Sequence, residues 1–117
     1  THGWPGSVYE FHKIIGPLTD PVAHGGRKED AFHVVCPSMP GYGWSEAPKQ
    51  PGFDIKQVGE TVATLMAELG YTRYGAQGGD WGAIATAWVG RVDPSHCAGI
   101  HRNIIVAGPP AGADNPM

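Results

Sequence analysis

The chain has few cysteines, no surplus of basic residues and no long apolar run, and each shortage removes a class of protein from consideration. Eight Lys and Arg against eleven Asp and Glu give a formal net charge of −3, which offers no grip on a phosphate backbone. A nucleic-acid partner is not expected. No stretch reaches the roughly 18 uncharged apolar residues of a membrane span, and the opening THGWPGS lacks the charged and apolar regions of a secretory signal. These residues read as soluble and cytoplasmic, a reading that does not extend to an anchor upstream of them. The two cysteines, Cys36 and Cys97, lie in apolar surroundings without a second Cys or His at ligand spacing. Buried reduced thiols are expected there, with no disulfide, no metal and no cofactor.

What is abundant is glycine and proline, 18 and 11 residues in a chain of 117, clustered between periodic segments as in a loop-rich α/β protein. Ser7 and Glu10 form a capping-box pair before Val8, Phe11, Ile14, Ile15 and Leu18 at helical spacing, although Gly16 and Pro17 weaken the far end. After an exposed polar connection, Phe32 to Cys36 reads as a buried strand stopped by Pro37. Pro37 to Gly52 excludes regular structure and is long enough to line a site. Asp54 and Gln57 form a second capping box, with one apolar face running from Ile55 to Leu69 and Gly70 as the stop. Tyr71 to Gln77 is the next expected strand, Trp81 to Val92 a helix halted by Asp93-Pro94, and Ala98 to Val106 a last strand region. Such alternation favours parallel strands with crossover helices.

The strongest chemical signal is Gly78-Gly79-Asp80-Trp81-Gly82, a nucleophile flanked by small residues between an expected strand and an expected helix. A sharp strand-to-helix turn of this kind, a nucleophile elbow, thrusts its apical side chain into a site, and the small neighbours keep strand and helix from colliding. A carboxylate at the apex is ionised near neutrality and can attack an sp³ carbon directly, leaving an ester. The competing reading makes Asp80 a plain N-cap residue, since Asp is favoured there. His2-Gly3-Trp4-Pro5-Gly6-Ser7, just before the first helix, stands where the oxyanion loop of an α/β-hydrolase belongs. By this reading Trp4 and Trp81 donate backbone N–H groups to an oxyanion, while their rings line the pocket or pack in the core.

The strings HGWPGS, EFHKIIGPLTDP, FHVVCPSMPGYGWSEAP, LGYTRYGAQGGDWG and VDPSHCAGIHRN resemble successive blocks of microsomal-type epoxide hydrolases, including those that hydrolyse juvenile hormone. The likeness runs over roughly residues 1 to 103, and the double glycine of AQGGDWG is similar to that branch in particular. It implies that residues 1–117 are part of an α/β-hydrolase core, with Asp80 opening a small apolar epoxide and water completing its conversion to a vicinal diol. It also implies paired cap-domain tyrosines that donate to the epoxide oxygen, and a His–carboxylate pair that activates the water. Arg102, where the family usually has leucine, departs from the pattern, as does the shifted Gly16-Pro17.

In this fold the acid and the histidine follow the nucleophile, yet only 37 residues come after Asp80. His96 and His101 there are expected to be structural, and Tyr9, Tyr42, Tyr71 and Tyr74 all precede the elbow. A partial enzyme is therefore expected, lacking cap and C-terminal part, inactive and poorly stable alone, with about three strands whose edges are open. A haloalkane dehalogenase using the same aspartate, or a catalytically silent α/β module, are the alternatives. A serine esterase is disfavoured because no G-x-S-x-G occurs. Gly41-Tyr42-Gly43-Trp44-Ser45-Glu46 opens like a dinucleotide fingerprint but leads into a loop.

Overall fold

The structure is a computed structural model that describes residues 1–106 and 108. The closing GPPAGADNPM, in which the sequence carries no legible chemistry, lies outside the described residues apart from Gly108. Ser7, in extended backbone, accepts the Tyr9 amide on its Oγ at 3.2 Å and starts a 3₁₀ turn, Val8–Phe11, that runs into α1, His12–Thr19. Because the first turn is the tighter 3₁₀ form, the Glu10 amide goes to the Ser7 carbonyl, and Ser7 caps through Tyr9 without forming the expected box with Glu10. Pro17 lies inside α1, which still continues to Thr19 and closes with the Asp20 amide on the Gly16 carbonyl. Pro17 has no amide to offer the carbonyl of Lys13, an exposed residue.

The second capping box is complete. Asp54 accepts the Gln57 amide at 3.0 Å and Gln57 accepts that of Asp54 at 2.6 Å, opening α2, Ile55–Glu68, and Gly70 follows its end at φ 83°. β1 is Tyr74–Gly78, α3 is Trp81–Val92 and β2 is Cys97–Arg102, and β1 and β2 pair in parallel with a shift between Tyr74 and Gly75. Among the described residues the sheet has these two strands, not three. Phe32 to Cys36, expected as a strand, has no ladder partner among the described residues. The free edge of β1 meets Thr1 instead, whose nitrogen donates to the Gln77 carbonyl at 2.6 Å and whose carbonyl accepts from Gly79 at 3.4 Å. Hydrophobic composition selects an extended segment, but only a neighbouring strand makes it a β-strand.

Two apolar clusters join the layers. Met39, Val58 and Ala85 pack with Tyr42 and Ile55; Tyr74, Val89 and Cys97 pack with Val62, Met66 and Ala76. Both cysteines are free thiols, Cys97 buried and Cys36 half-buried. The other end of β1 is closed by a polar clasp in which the Tyr74 hydroxyl donates to Asp93 Oδ2 at 2.7 Å and His96 Nδ1 sits 2.6 Å from Asp93 Oδ1. The Tyr74 bond, then that of His96, hold the Asp93 carboxyl below its usual range, while burial and Asp93 push the Tyr74 phenol up. β2 is exposed from Ala98 to His101 among the described residues, and Arg102 at its end is half-buried.

Candidate active site

The site forms where β1 turns into α3. Gly78 ends the strand, Gly79 and Asp80 make the turn, and Trp81 begins the helix. A methyl at Gly78 would collide with the Gly82 carbonyl, and one at Gly82 would stand 2.7 Å from the His2 carbonyl, so both positions require glycine for backbone contact. Asp80 has φ 53° and ψ −131°, and it is the one non-glycine residue with positive φ among the described residues. Such backbone is held only where the surroundings enforce it, and it is concentrated at functional sites.

Asp80 precedes α3 but makes no capping hydrogen bond to it, which sets aside the plain N-cap reading. Its Oδ2 instead accepts the backbone N–H of Trp4 at 2.8 Å, across 76 positions of sequence. The Trp81 amide, and after it the Trp4 amide, hold the Asp80 carboxyl below the ordinary carboxylate range. The side chain is exposed, and its Oδ2 is engaged by the Trp4 amide. Trp4 and Trp81 are 72% and 48% exposed among the described residues.

The loop from His2 to Ser7 lies over the elbow. Buried Gly3 backs directly onto the Asp80 side chain, Gly79 bonds Thr1, and Pro5, joined to Trp4 by a cis peptide, leads out to Gly6 and Ser7. All the residues picked from the two motifs, His2, Gly3, Trp4, Pro5, Gly78, Gly79, Asp80, Trp81 and Gly82, thus lie in or beside one turn. Ser38 and Tyr42, from the Pro37 to Gly52 loop, join them through His2. Nothing local in the sequence marks Ser38, which stands 36 positions from the ring it touches.

No hydrogen bond joins Asp80 to an imidazole among the described residues. The one His–carboxylate pair, His96 with Asp93, clasps Tyr74 at the start of β1, six positions before Asp80 and roughly 16–20 Å away at ~3.3 Å per residue. The hydroxyls of Tyr71 and Tyr74 go to His33 and Asp93, and Tyr9 stacks on His12. A groove of about 580 Å³ runs between Pro37, Ser38, Glu46 and Phe53 and α2, and is not lined by Asp80. Among the described residues no group of three or more His, Cys, Asp or Glu is placed to hold a metal ion, and no helix is long and apolar enough to cross a membrane.

A strand–elbow–helix turn facing an oxyanion loop over parallel strands defines an α/β-hydrolase core. The chain belongs to the α/β hydrolase fold family, whose pattern matches residues 1–103. It is 55% identical over 103 residues to a proposed epoxide hydrolase of Stigmatella aurantiaca and 47% identical to epoxide hydrolase 1 of Oryctolagus cuniculus, covering 88% of this chain and 23% of each relative. The crystal structure of juvenile hormone epoxide hydrolase from the silkworm Bombyx mori superposes with a TM-score of 0.77 at 41% identity, over 88% of this chain and 26% of that one. The chain thus spans about a quarter of the length of the proteins it matches.

Proposed function

We propose that this chain is the nucleophile-bearing part of an enzyme that hydrolyses small apolar epoxides to vicinal diols through an ester on Asp80. The observation that carries the reading is the Asp80 carboxylate, which makes no side-chain capping bond to the helix it precedes and is bound through Oδ2 to the Trp4 amide at 2.8 Å. Similarity to epoxide hydrolases supports the choice of electrophile.

In the first step Oδ1 attacks an epoxide carbon, the ring C–O bond breaks, and the oxygen takes a proton from a donor supplied elsewhere in the enzyme. The product is a hydroxyalkyl ester. Water, activated by a base, then adds to the Asp80 carboxyl carbon, and negative charge gathers on Oδ2 between the Trp4 and Trp81 amides. Collapse of this intermediate releases the diol with one oxygen from Asp80 and restores the carboxylate. The Asp80 hydrogen-bond network includes no base, so residues 1–117 alone are expected to form no diol.

The test sets residues 1–103 into the matching part of the Stigmatella aurantiaca relative and offers styrene oxide and a bromoalkane separately. Diol from the epoxide, and an adduct of the epoxide's mass on the Asp80 peptide that Asp80→Asn abolishes, are expected. Turnover of the bromoalkane alone would make the protein a dehalogenase and overturn the reading.

A further inference from the structure

His2 has no exposed surface, and both of its ring nitrogens are engaged. Nδ1 lies 3.0 Å from the Gly3 carbonyl and Nε2 lies 2.7 Å from Ser38 Oγ. A carbonyl only accepts, so Nδ1 carries the hydrogen; in the neutral ring Nε2 then offers a lone pair, to which the Ser38 hydroxyl donates. Tyr42 meets the ring edge-on at 6.1 Å. Ser38 is itself fixed within its loop, since its carbonyl accepts the Ser45 hydroxyl at 2.7 Å and the loop packs Gly43 against its Oγ.

The carbonyl that His2 holds belongs to the same planar peptide unit as the Trp4 N–H, which donates to Asp80 at 2.8 Å. Fixing one end of a rigid plane fixes the direction of the other. If this peptide rotated, its carbonyl oxygen would face the Asp80 carboxylate in place of the donor. We infer that Ser38 and His2 are positioning residues, a relay from the Pro37 to Gly52 loop that orients the Gly3–Trp4 peptide as an oxyanion donor. Neither side chain needs to touch substrate.

The kinetic consequence rests on the epoxide-hydrolase reading. Charge builds on Oδ2 only while the ester is being hydrolysed, so a loosened donor slows breakdown of the ester and leaves its formation nearly unchanged. In the chimera, Ser38→Ala is expected to slow ester breakdown about tenfold, less than the roughly 10²–10³-fold loss on deleting a donor outright. Ester formation should change by less than about threefold, so the ester accumulates, and Ser38→Thr, which keeps the hydroxyl, should restore breakdown. Equal slowing of both steps, or no slowing of either, would overturn the inference.

Nitrogen-15 NMR of the unmutated chimera gives a second readout that requires neither turnover nor a folded variant. His2 protonated on Nδ1 is expected; His2 protonated on Nε2 would overturn the inference. An unmutated chimera that forms no ester on Asp80 would remove the proposed function, while the tautomer would still decide the role of Ser38 and His2.

Discussion

Gly3→Ala is the sharpest perturbation of the site. A Cβ at this position would stand 2.7 Å from Asp80 Cβ and 2.8 Å from its Cγ, where carbon atoms rest at about 3.5 Å or more. Relief requires the two segments to separate by roughly 0.8 Å, which stretches the 2.8 Å Trp4–Asp80 bond to about 3.6 Å, beyond hydrogen bonding. Gly3 is not among the positive-φ glycines, so alanine brings no backbone strain and the effect is confined to this contact. Loss of one oxyanion donor slows the charged step by roughly 10²–10³-fold. Quenched-flow mass spectrometry of the chimera would follow ester breakdown, with a thermal melt to verify folding. The Asp80 pKa should also rise, because one bond to its charged form is gone. A folded Gly3→Ala variant with ester breakdown within about threefold of the parent would refute the assignment of the Trp4 amide.

The lowered Asp80 pKa means the nucleophile stays anionic as pH falls, so the acid limb of ester formation should lie below the ordinary carboxylate value of 3.8; a limb above about pH 5 would contradict it. Asp93 is likewise depressed, so its contribution to stability is present above the unfolded pKa and lost as pH falls through the folded one. In the chimera, Tyr74→Phe should therefore lower the melting temperature at neutral pH and by less in acid once Asp93 is protonated, and an equal drop at both would count against the clasp. The isolated chain leaves Ile14, Ile15, Leu18, Phe32, Ile100 and Ile104 exposed, and calorimetry should find no cooperative transition; a sharp one in the monomer would show that these faces need no cover.

Local signals proved legible where they were sufficient. The helix Trp81–Val92 has the bounds that Gly82 and Asp93-Pro94 suggest, and Asp54 with Gln57 forms the capping box that their spacing implies. Phe32 to Cys36 is in no ladder among the described residues, because strand formation depends on a neighbour that composition does not reveal. The two site motifs were visible as glycine patterns, but neither reveals that Thr1 lies along the edge of β1, bonding Gln77 and Gly79, which is what brings residues 4 and 80 together. The tie between Ser38 and His2 escaped sequence reading because it joins two loops through one hydrogen bond and leaves no periodic trace. Nothing in the structure explains Arg102, which ends β2 half-buried.

The central claim is that Asp80 forms and then loses an ester through attack at its own carboxyl carbon. A single turnover of the chimera in water labelled with oxygen-18, with enzyme in excess over styrene oxide, tests it directly. The account predicts unlabelled diol and one heavy oxygen in the Asp80 peptide. Label in the diol with none in the peptide would mean that water attacks the epoxide itself, and Asp80 would not be the nucleophile.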